Sequence, residues 1–281
     1  MGPGARTQPD ARMMKLAAFL ALPLLAAVTA NVTTAPAEPD TEVRTIIRKA
    51  VERADWAREQ DFSSQYRQLM TQRALRFNGD DEVTEDETLG YAIEPYEGVP
   101  YAKLVRKNGE AIAGQDLKEE AKRWEQFLET LEDPPEPDED DTNIIFNADL
   151  LDRYTATLTG IREVRGRPAF VLAFEPKPGD LPARRRIDHA LNKSRGEIWI
   201  DQETYEIARI TFELMERVRL WGGILGSVSQ ARGNFERTRV GGDAWLASEV
   251  DMYFQLRVLF RTSRRREITH WSQFEPLGDQ S

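Results

Sequence analysis

The sequence predicts an α+β protein, with a curled antiparallel sheet (an unclosed β-barrel) of about ten strands and amphipathic helices on its concave side. Two observations lead to this prediction. Several long segments alternate apolar and polar residues, as strands with one buried face do. Two other segments carry one apolar stripe at helical spacing, so they can lie against such a face. A single sheet of strands this long must curl.

The two long helices are predicted from their stripes. The first begins after Asp40 or Thr41, either of which can cap it. The second spans Gln115 to Leu131, and a short helical piece lies around Ile187 to Leu191. The stripe residues are Val43, Ile46, Ile47, Ala50, Val51 and Ala54 in the first helix, and Leu117, Ala121, Trp124, Leu128 and Leu131 in the second.

The strands are predicted from alternation between turn residues. The clearest is VDMYFQLRVLF, in which every second residue from Val250 to Phe260 is apolar and points one way. A hairpin turns at DQET, between a strand that carries Ile198 and Ile200 on one face and a strand that carries Ala208, Ile210, Phe212 and Leu214 on one face. Further strands are predicted within 63–77, 88–98, 99–112, 154–164, 168–176 and 266–274.

The composition is that of a globular protein. Of 281 residues, 40% are hydrophobic and 31% charged, and the net charge is -10. An acidic balance argues against nucleic acid as the main partner, because such proteins usually carry a basic face. Residues 132–142, in the segment EDPPEPDEDD, form an acidic, proline-rich loop without calcium-loop spacing. Residues 31–281 are predicted to form a single domain around this loop.

The N-terminus predicts export. Arg12 and Lys15 flank the short apolar run Leu16–Ala30, which ends in small residues. Residues 1–30 are therefore interpreted as a cleavable signal peptide, with residues before Met13 as a possible upstream extension. Cleavage after Ala37 and an uncleaved membrane anchor are the alternatives. The chain has no cysteine, so it has neither a disulfide nor a lipidated cysteine.

Candidate catalytic groups are few. His189 and His270 have no accompanying nucleophile motif or zinc spacing, and the glycines of 222–235 do not match a phosphate loop. Asp201 and Glu203 lie at the hairpin turn, where acidic residues commonly serve structure. No catalytic residue, metal or cofactor is predicted.

Two surface features remain open from the sequence. The segment LWGGIL contains Leu220, Trp221, Ile224 and Leu225, which either fold into the core or form a lid or membrane-touching loop. The basic runs Arg184–Arg186 and Arg261–Arg266 either contact lipid phosphates transiently at a membrane surface or pair with carboxylates in solvated turns.

Three motifs, in this order, resemble a known family: GRPAFVLAFEPKP, GEIWIDQETYEIARI and VGGDAWLASEV. They are similar to the LolA/LolB-like outer-membrane lipoprotein-sorting superfamily, over roughly Tyr154 to Phe274. The resemblance implies a periplasmic protein whose unclosed barrel and helices enclose a hydrophobic cavity for acyl chains. The helix at 115–131 and the acidic loop resemble an insertion, and no ligand-binding position of the family can be transferred.

The first functional hypothesis is a periplasmic carrier of lipid or lipoprotein acyl chains. An envelope interaction or stress-sensing module with a protein partner is the alternative, and a carboxylate-dependent hydrolase is third. The predicted cavity lining is Trp124, Leu128, Ile198, Ile200, Ile210, Phe212, Leu214, Met252, Phe254, Leu256 and Val258.

Overall fold

The computed structural model describes residues 41–133, 144–220, 226–258 and 261–278. Twelve strands within these ranges form one antiparallel sheet. The sheet is not closed, because its two edge strands stand at opposite ends of the strand order. This arrangement, together with the helices, confirms the predicted α+β class and the curled, unclosed sheet.

The helices are Thr41–Gln60 (α1), Gln115–Glu132 (α2), Ala148–Leu151 (α3) and Arg186–Leu191 (α4), and a 3-10 turn spans Phe62–Gln65. The strands are Tyr66–Phe77 (β1), Val83–Tyr96 (β2), Val99–Lys107 (β3), Glu110–Ala111 (β4), Tyr154–Val164 (β5), Arg167–Pro176 (β6), Ser194–Asp201 (β7), Ile207–Leu214 (β8), Val218–Leu220 (β9), Gly226–Gly241 (β10), Ala244–Val258 (β11) and Arg261–Pro276 (β12). Their order is β4-β3-β2-β1-β12-β11-β10-β8-β7-β6-β5, and β9 pairs with β10.

The first and last strands of the described chain join the two halves of the sheet. β1 pairs with β12, with Thr71 opposite His270, while β1 also pairs with β2 on its other side. The other strand pairs join neighbours along the chain, apart from the β8–β10 pair, which β9 interrupts. Chain order and sheet order therefore coincide along each half.

Helix α1 covers the β5–β8 part of one face of the sheet, here called the inner face. Its predicted stripe supplies Val43, Ile46 and Ala50, none of them more than 3% exposed. They pack against Leu172 and Ile200 in the largest apolar cluster of the described chain. None of the described helices combines the length and apolar character needed to span a bilayer.

The opposite face, here called the outer face, carries a second apolar cluster. Trp199 and Trp245 are 8% and 2% exposed and pack with Val171. Arginines lie over both rings. The guanidinium of Arg209 is 4.8 Å from the ring centroid of Trp199, and the guanidinium of Arg167 is 5.6 Å from the ring centroid of Trp245. Cation–π contacts and long arginine side chains thus shield the apolar rings from solvent on this face.

Candidate functional site: the inner face of the sheet

The predicted lining residues of the β7–β8 hairpin lie beneath or beside α1. Ile198 and Ile200 are 8% and 0% exposed and belong to the core that α1 completes. Ile210 and Phe212 are half-buried and pack at the border of that core. Under α1 the inner face is therefore filled by protein.

Beyond α1, the inner face continues through β10 and β11. Gly233 of β10 pairs with Phe212 of β8 on one side and with Met252 of β11 on the other. A Cβ built on Gly233 would lie closer than 3.0 Å to the side chains of both residues. Phe212 and Met252 thus meet over a glycine, which leaves them the space that a side chain would fill. The sequence patterns did not predict β10 as a strand.

Half-buried apolar residues extend from this junction along β11. Phe254 and Leu256 follow Met252 at alternate positions and share its face. Phe212, Met252, Phe254 and Leu256 together are here called the inner strip, and all four are half-buried. Val258, at the end of β11, is 50% exposed. Leu214, at the end of β8, is half-buried and lies opposite Ser194.

The other two predicted lining residues lie elsewhere. Trp124 and Leu128 belong to α2, which contacts β3, whereas β2, β1 and β12 separate β3 from β11. The Trp124 ring centroid is 5.0 Å from that of Tyr96 and 4.9 Å from that of Tyr101. Trp124, Tyr96 and Tyr101 therefore form an aromatic cluster at the β2–β3 end of the sheet. Trp124 and Leu128 do not join the inner strip.

One polar residue of the inner face was not singled out from the sequence. Glu267 of β12 pairs with Met252 of β11 and, on the other side, with Ala74 of β1. Alternation places it on the face of Trp271, which packs in an apolar cluster at the neighbouring end of the sheet. Burial raises the pKa of Glu267, against the opposing charge of Arg265. In the sequence, Glu267 could have been recognised as a glutamate that shares a face with Trp271 in a predicted strand.

Several predicted segments lie outside the described residues. These are Trp221, Ile224 and Leu225, the segment 134–143 of the acidic loop, and residues 1–40 with the signal peptide. Strand β9 ends at Leu220, the first residue of the predicted lid. The lid, the acidic loop and the signal peptide remain predictions.

Asp201 organises the hairpin turn on the outer face. It is fully buried, and its two oxygens accept hydrogen bonds from the guanidinium of Arg167 at 2.7 and 2.9 Å. The Thr204 backbone N–H and hydroxyl also donate to it, at 2.8 and 2.9 Å. Burial alone would raise the pKa of Asp201, but these hydrogen bonds hold it below its ordinary value. The carboxylate therefore closes the DQET turn.

His270 and the second basic run take part in surface pairs. His189 is exposed in α4, and His270 Nδ1 lies 3.6 Å from Glu249 Oε2 with its side chain 54% exposed. Arg264 and Arg266 pair with Asp81 and Asp251, at 2.7 and 2.5 Å. Across the described ranges, no three histidine, aspartate or glutamate side chains are grouped to hold a metal ion.

A hollow of about 410 Å³ opens beside these pairs on the outer face. Its walls are predominantly polar, so its chemistry does not match an acyl chain. It is lined by Phe77, Asp81, Gln230, Arg232, Tyr253 and Arg266.

No protein-family model matches the chain, and no curated protein matches its sequence. Among solved structures, it is similar to an outer membrane lipoprotein-sorting protein domain from Vibrio parahaemolyticus, at 11% identity and a TM-score of 0.34 over 84% of this chain and 95% of that one. A LolA superfamily protein from Nitrosomonas europaea matches at 12% identity and a TM-score of 0.30, over 84% and 94%. The MucA/MucB complex of Pseudomonas aeruginosa matches at 13% identity and a TM-score of 0.23, over 80% and 99%.

Proposed function

We propose that this chain is a periplasmic binding protein that carries the acyl chain of a lipid or lipoprotein on its inner strip. The observation that supports this best is the half-buried row formed by Phe212, Met252, Phe254 and Leu256. Four large apolar side chains on one face of two strands form a continuous surface, and such surfaces mark ligand or partner contacts more often than chance exposure.

Packed apolar clusters flank the inner strip on both sides. The core under α1 borders the strip on the β8 side, because Phe212 packs against that core. On the other side of β11, an apolar cluster includes Trp271 of the adjacent strand β12 and Met70 of the next strand, β1. An acyl chain along the strip would lie between these two packed regions. Each methylene that leaves water contributes about 0.8 kcal/mol to the free energy of binding. The burial of an acyl chain can therefore supply the affinity.

Native mass spectrometry of the mature protein, purified gently from cells, tests the proposal. We expect an acylated molecule to co-purify and to be lost after solvent extraction. Phe254→Glu and Leu256→Glu should each abolish binding, because a carboxylate on the strip would be desolvated by the ligand. Val83→Glu is the matched control, since Val83 is 51% exposed at the start of β2, away from the strip.

Two outcomes would contradict the proposal. One is a clean mass with no uptake of offered lipid. The other is equal loss of lipid in Val83→Glu and Phe254→Glu while circular dichroism shows both variants folded. The N-terminal mass from the same experiment tests export, because cleavage after Ala30 or Ala37 requires passage through the secretory route.

A second candidate, an envelope module that binds a protein partner, is favoured by the aromatic end of the sheet. Tyr96, Val99 and Leu117 are 40%, 37% and 52% exposed beside the Trp124 cluster. Exposed large apolar residues near an aromatic cluster are typical of protein interfaces. Replacing Tyr96 and Leu117 by serine should then remove a co-purifying protein and leave acyl-chain binding unchanged.

A further inference from the structure

We propose that Glu267 is the anchor for a primary ammonium group, so that the preferred ligand is an amine-headed amphiphile whose chain lies on the inner strip. This inference rests on the proposed function and narrows its ligand class. Glu267 is a half-buried carboxylate on the inner face, one strand away from the inner strip.

The first step is position. Glu267 pairs across the sheet with Met252, which itself contacts the junction with Phe212 over Gly233. Neighbouring strands lie roughly 4.8 Å apart, so the carboxylate stands about one strand spacing from the apolar strip. A head group bound at Glu267 would therefore place the first methylenes of its chain on Met252.

The second step is the lack of a partner for the carboxylate. Within the described part of the chain, no residue forms a hydrogen bond or a salt bridge with Glu267. Arg265, two positions earlier on the same face, acts on it through its charge and makes contacts of its own. By contrast, the carboxylates of Glu85 and Glu87, on β2, lie 3.0 and 3.5 Å from Arg76 and Lys107.

The third step is a neighbouring hydroxyl that also lacks a partner. Thr269 follows Glu267 at the next position on the inner face and is 1% exposed. Its Oγ1 is buried and makes no hydrogen bond within the described residues. Buried polar groups are normally satisfied, so an unsatisfied hydroxyl next to an unpaired carboxylate indicates a place for a ligand's polar head.

The chemistry of the pair selects the head group. An ammonium has three N–H donors, which match the acceptor oxygens of Glu267 and of Thr269. A carboxylate or phosphate head without an amine would be repelled by Glu267. An alcohol head is neutral, so its hydrogen bond to Glu267 would be weaker than that of an ammonium. The same chemistry is offered by a simple long-chain amine and by an aminophospholipid, so the class is defined by the ammonium.

The test uses the mature protein with three probes of equal chain length, dodecylamine, dodecanol and dodecanoate, each below its micelle concentration, in titration calorimetry. We expect dodecylamine to bind most tightly. Glu267→Gln should weaken it about ten-fold or more and leave dodecanol unchanged, because only the charge-assisted hydrogen bond is lost. Glu213→Gln is the matched control, since Glu213 is exposed and pairs with Arg195 at 2.7 Å.

A second comparison distinguishes the sources of the ammonium. Lysophosphatidylethanolamine that binds more tightly than dodecylamine would assign an aminophospholipid head, and the reverse order would assign a simple amine. In either case Glu267→Gln must lower the affinity of the preferred ligand.

Failure of the inference and failure of the proposed function differ. Equal affinity for dodecanoate and dodecylamine would overturn the ammonium assignment and keep the acyl-chain site. The same conclusion would follow if Glu267→Gln had no effect on affinity while Phe254→Glu abolished binding of all probes. Absence of binding by every probe to the folded wild-type protein would overturn both. A Glu267→Gln variant that also loses dodecanol would show a general disturbance of the strip, and it too would refute the anchor role.

Discussion

Arg53 of α1 and Glu206, just before β8, form a buried ion pair, with 2.7 Å between Nε and Oε2. The Glu206 side chain is 1% exposed and also pairs with Arg237 of β10. One carboxylate thus joins the covering helix to two strands of the sheet. Removing one partner of a buried pair leaves uncompensated charge, which is strongly destabilising.

We therefore predict that Glu206→Gln lowers the free energy of unfolding by about 3 kcal/mol, because Arg53 and Arg237 lose their common acceptor. Urea titration followed by circular dichroism measures it. Glu203→Gln, three residues earlier and 68% exposed, should change stability little. Equal midpoints for the two variants would show that the ion pair does not hold α1 in place.

The Phe212–Met252 junction should be sensitive to any side chain at Gly233. We predict that Gly233→Ala costs about 1–3 kcal/mol, because its Cβ would force both side chains from their positions. The double variant Gly233→Ala, Met252→Ala should lose less stability than the sum of the two single losses, since the new methyl group then meets only Phe212. The control is Gly79→Ala, where a Cβ would meet nothing within 4 Å. A loss in the double variant equal to that sum would contradict the predicted contact.

Helix α2 should depend on one buried carboxylate for its attachment. Glu120 is 5% exposed and accepts hydrogen bonds from Tyr101 Oη and Arg123 Nη1, both at 2.6 Å. Glu120→Ala leaves both donors without this acceptor, and we expect faster amide hydrogen exchange throughout α2. The exposed Glu129 of the same helix provides the control variant Glu129→Ala. Unchanged exchange in Glu120→Ala would show that aromatic contacts alone hold α2.

The fold was predictable where an element carries apolar residues on one face and polar residues on the other. The stripe of Val43, Ile46 and Ala50 and the alternation from Val250 to Val258 have this property, and each predicted its element. Strand β10 does not, because its glycines and polar residues break the pattern while backbone pairing with β8 and β11 still forms it. Pairing with neighbours is a tertiary property, which a single segment does not display.

The site was predictable only in part, for a related reason. Alternation correctly grouped Met252, Phe254 and Leu256 on one face, but it gave no indication that α1 covers Ile200 and leaves this group half-buried. That distinction depends on where the helix docks. Likewise Glu267 is ordinary within its own strand, and its setting becomes unusual only when Met252 and Ala74 are placed on either side.

Glu267 should also make stability depend on pH, with a sign opposite to that of a paired carboxylate. Burial raises its pKa above the ordinary 4.5, so the folded state retains a proton that the unfolded state releases. The wild-type protein therefore loses stability as pH rises from 4.5 through the raised pKa, and the loss is complete above it. Glu267→Gln removes this titration, because the amide stays neutral at every pH.

We expect Glu267→Gln to match the wild type in acid and to be more stable near neutral pH, with the difference growing through that window. Urea midpoints measured in parallel across the range test it, and Glu213→Gln controls for a loss of charge at an exposed site. Arg265 opposes the effect, since it favours the ionised form, so Arg265→Gln should widen the difference between the wild type and Glu267→Gln. A neutral-pH stability of Glu267→Gln below that of the wild type would mean that the carboxylate is satisfied in the folded protein, which would remove the physical basis for an ammonium ligand at this position.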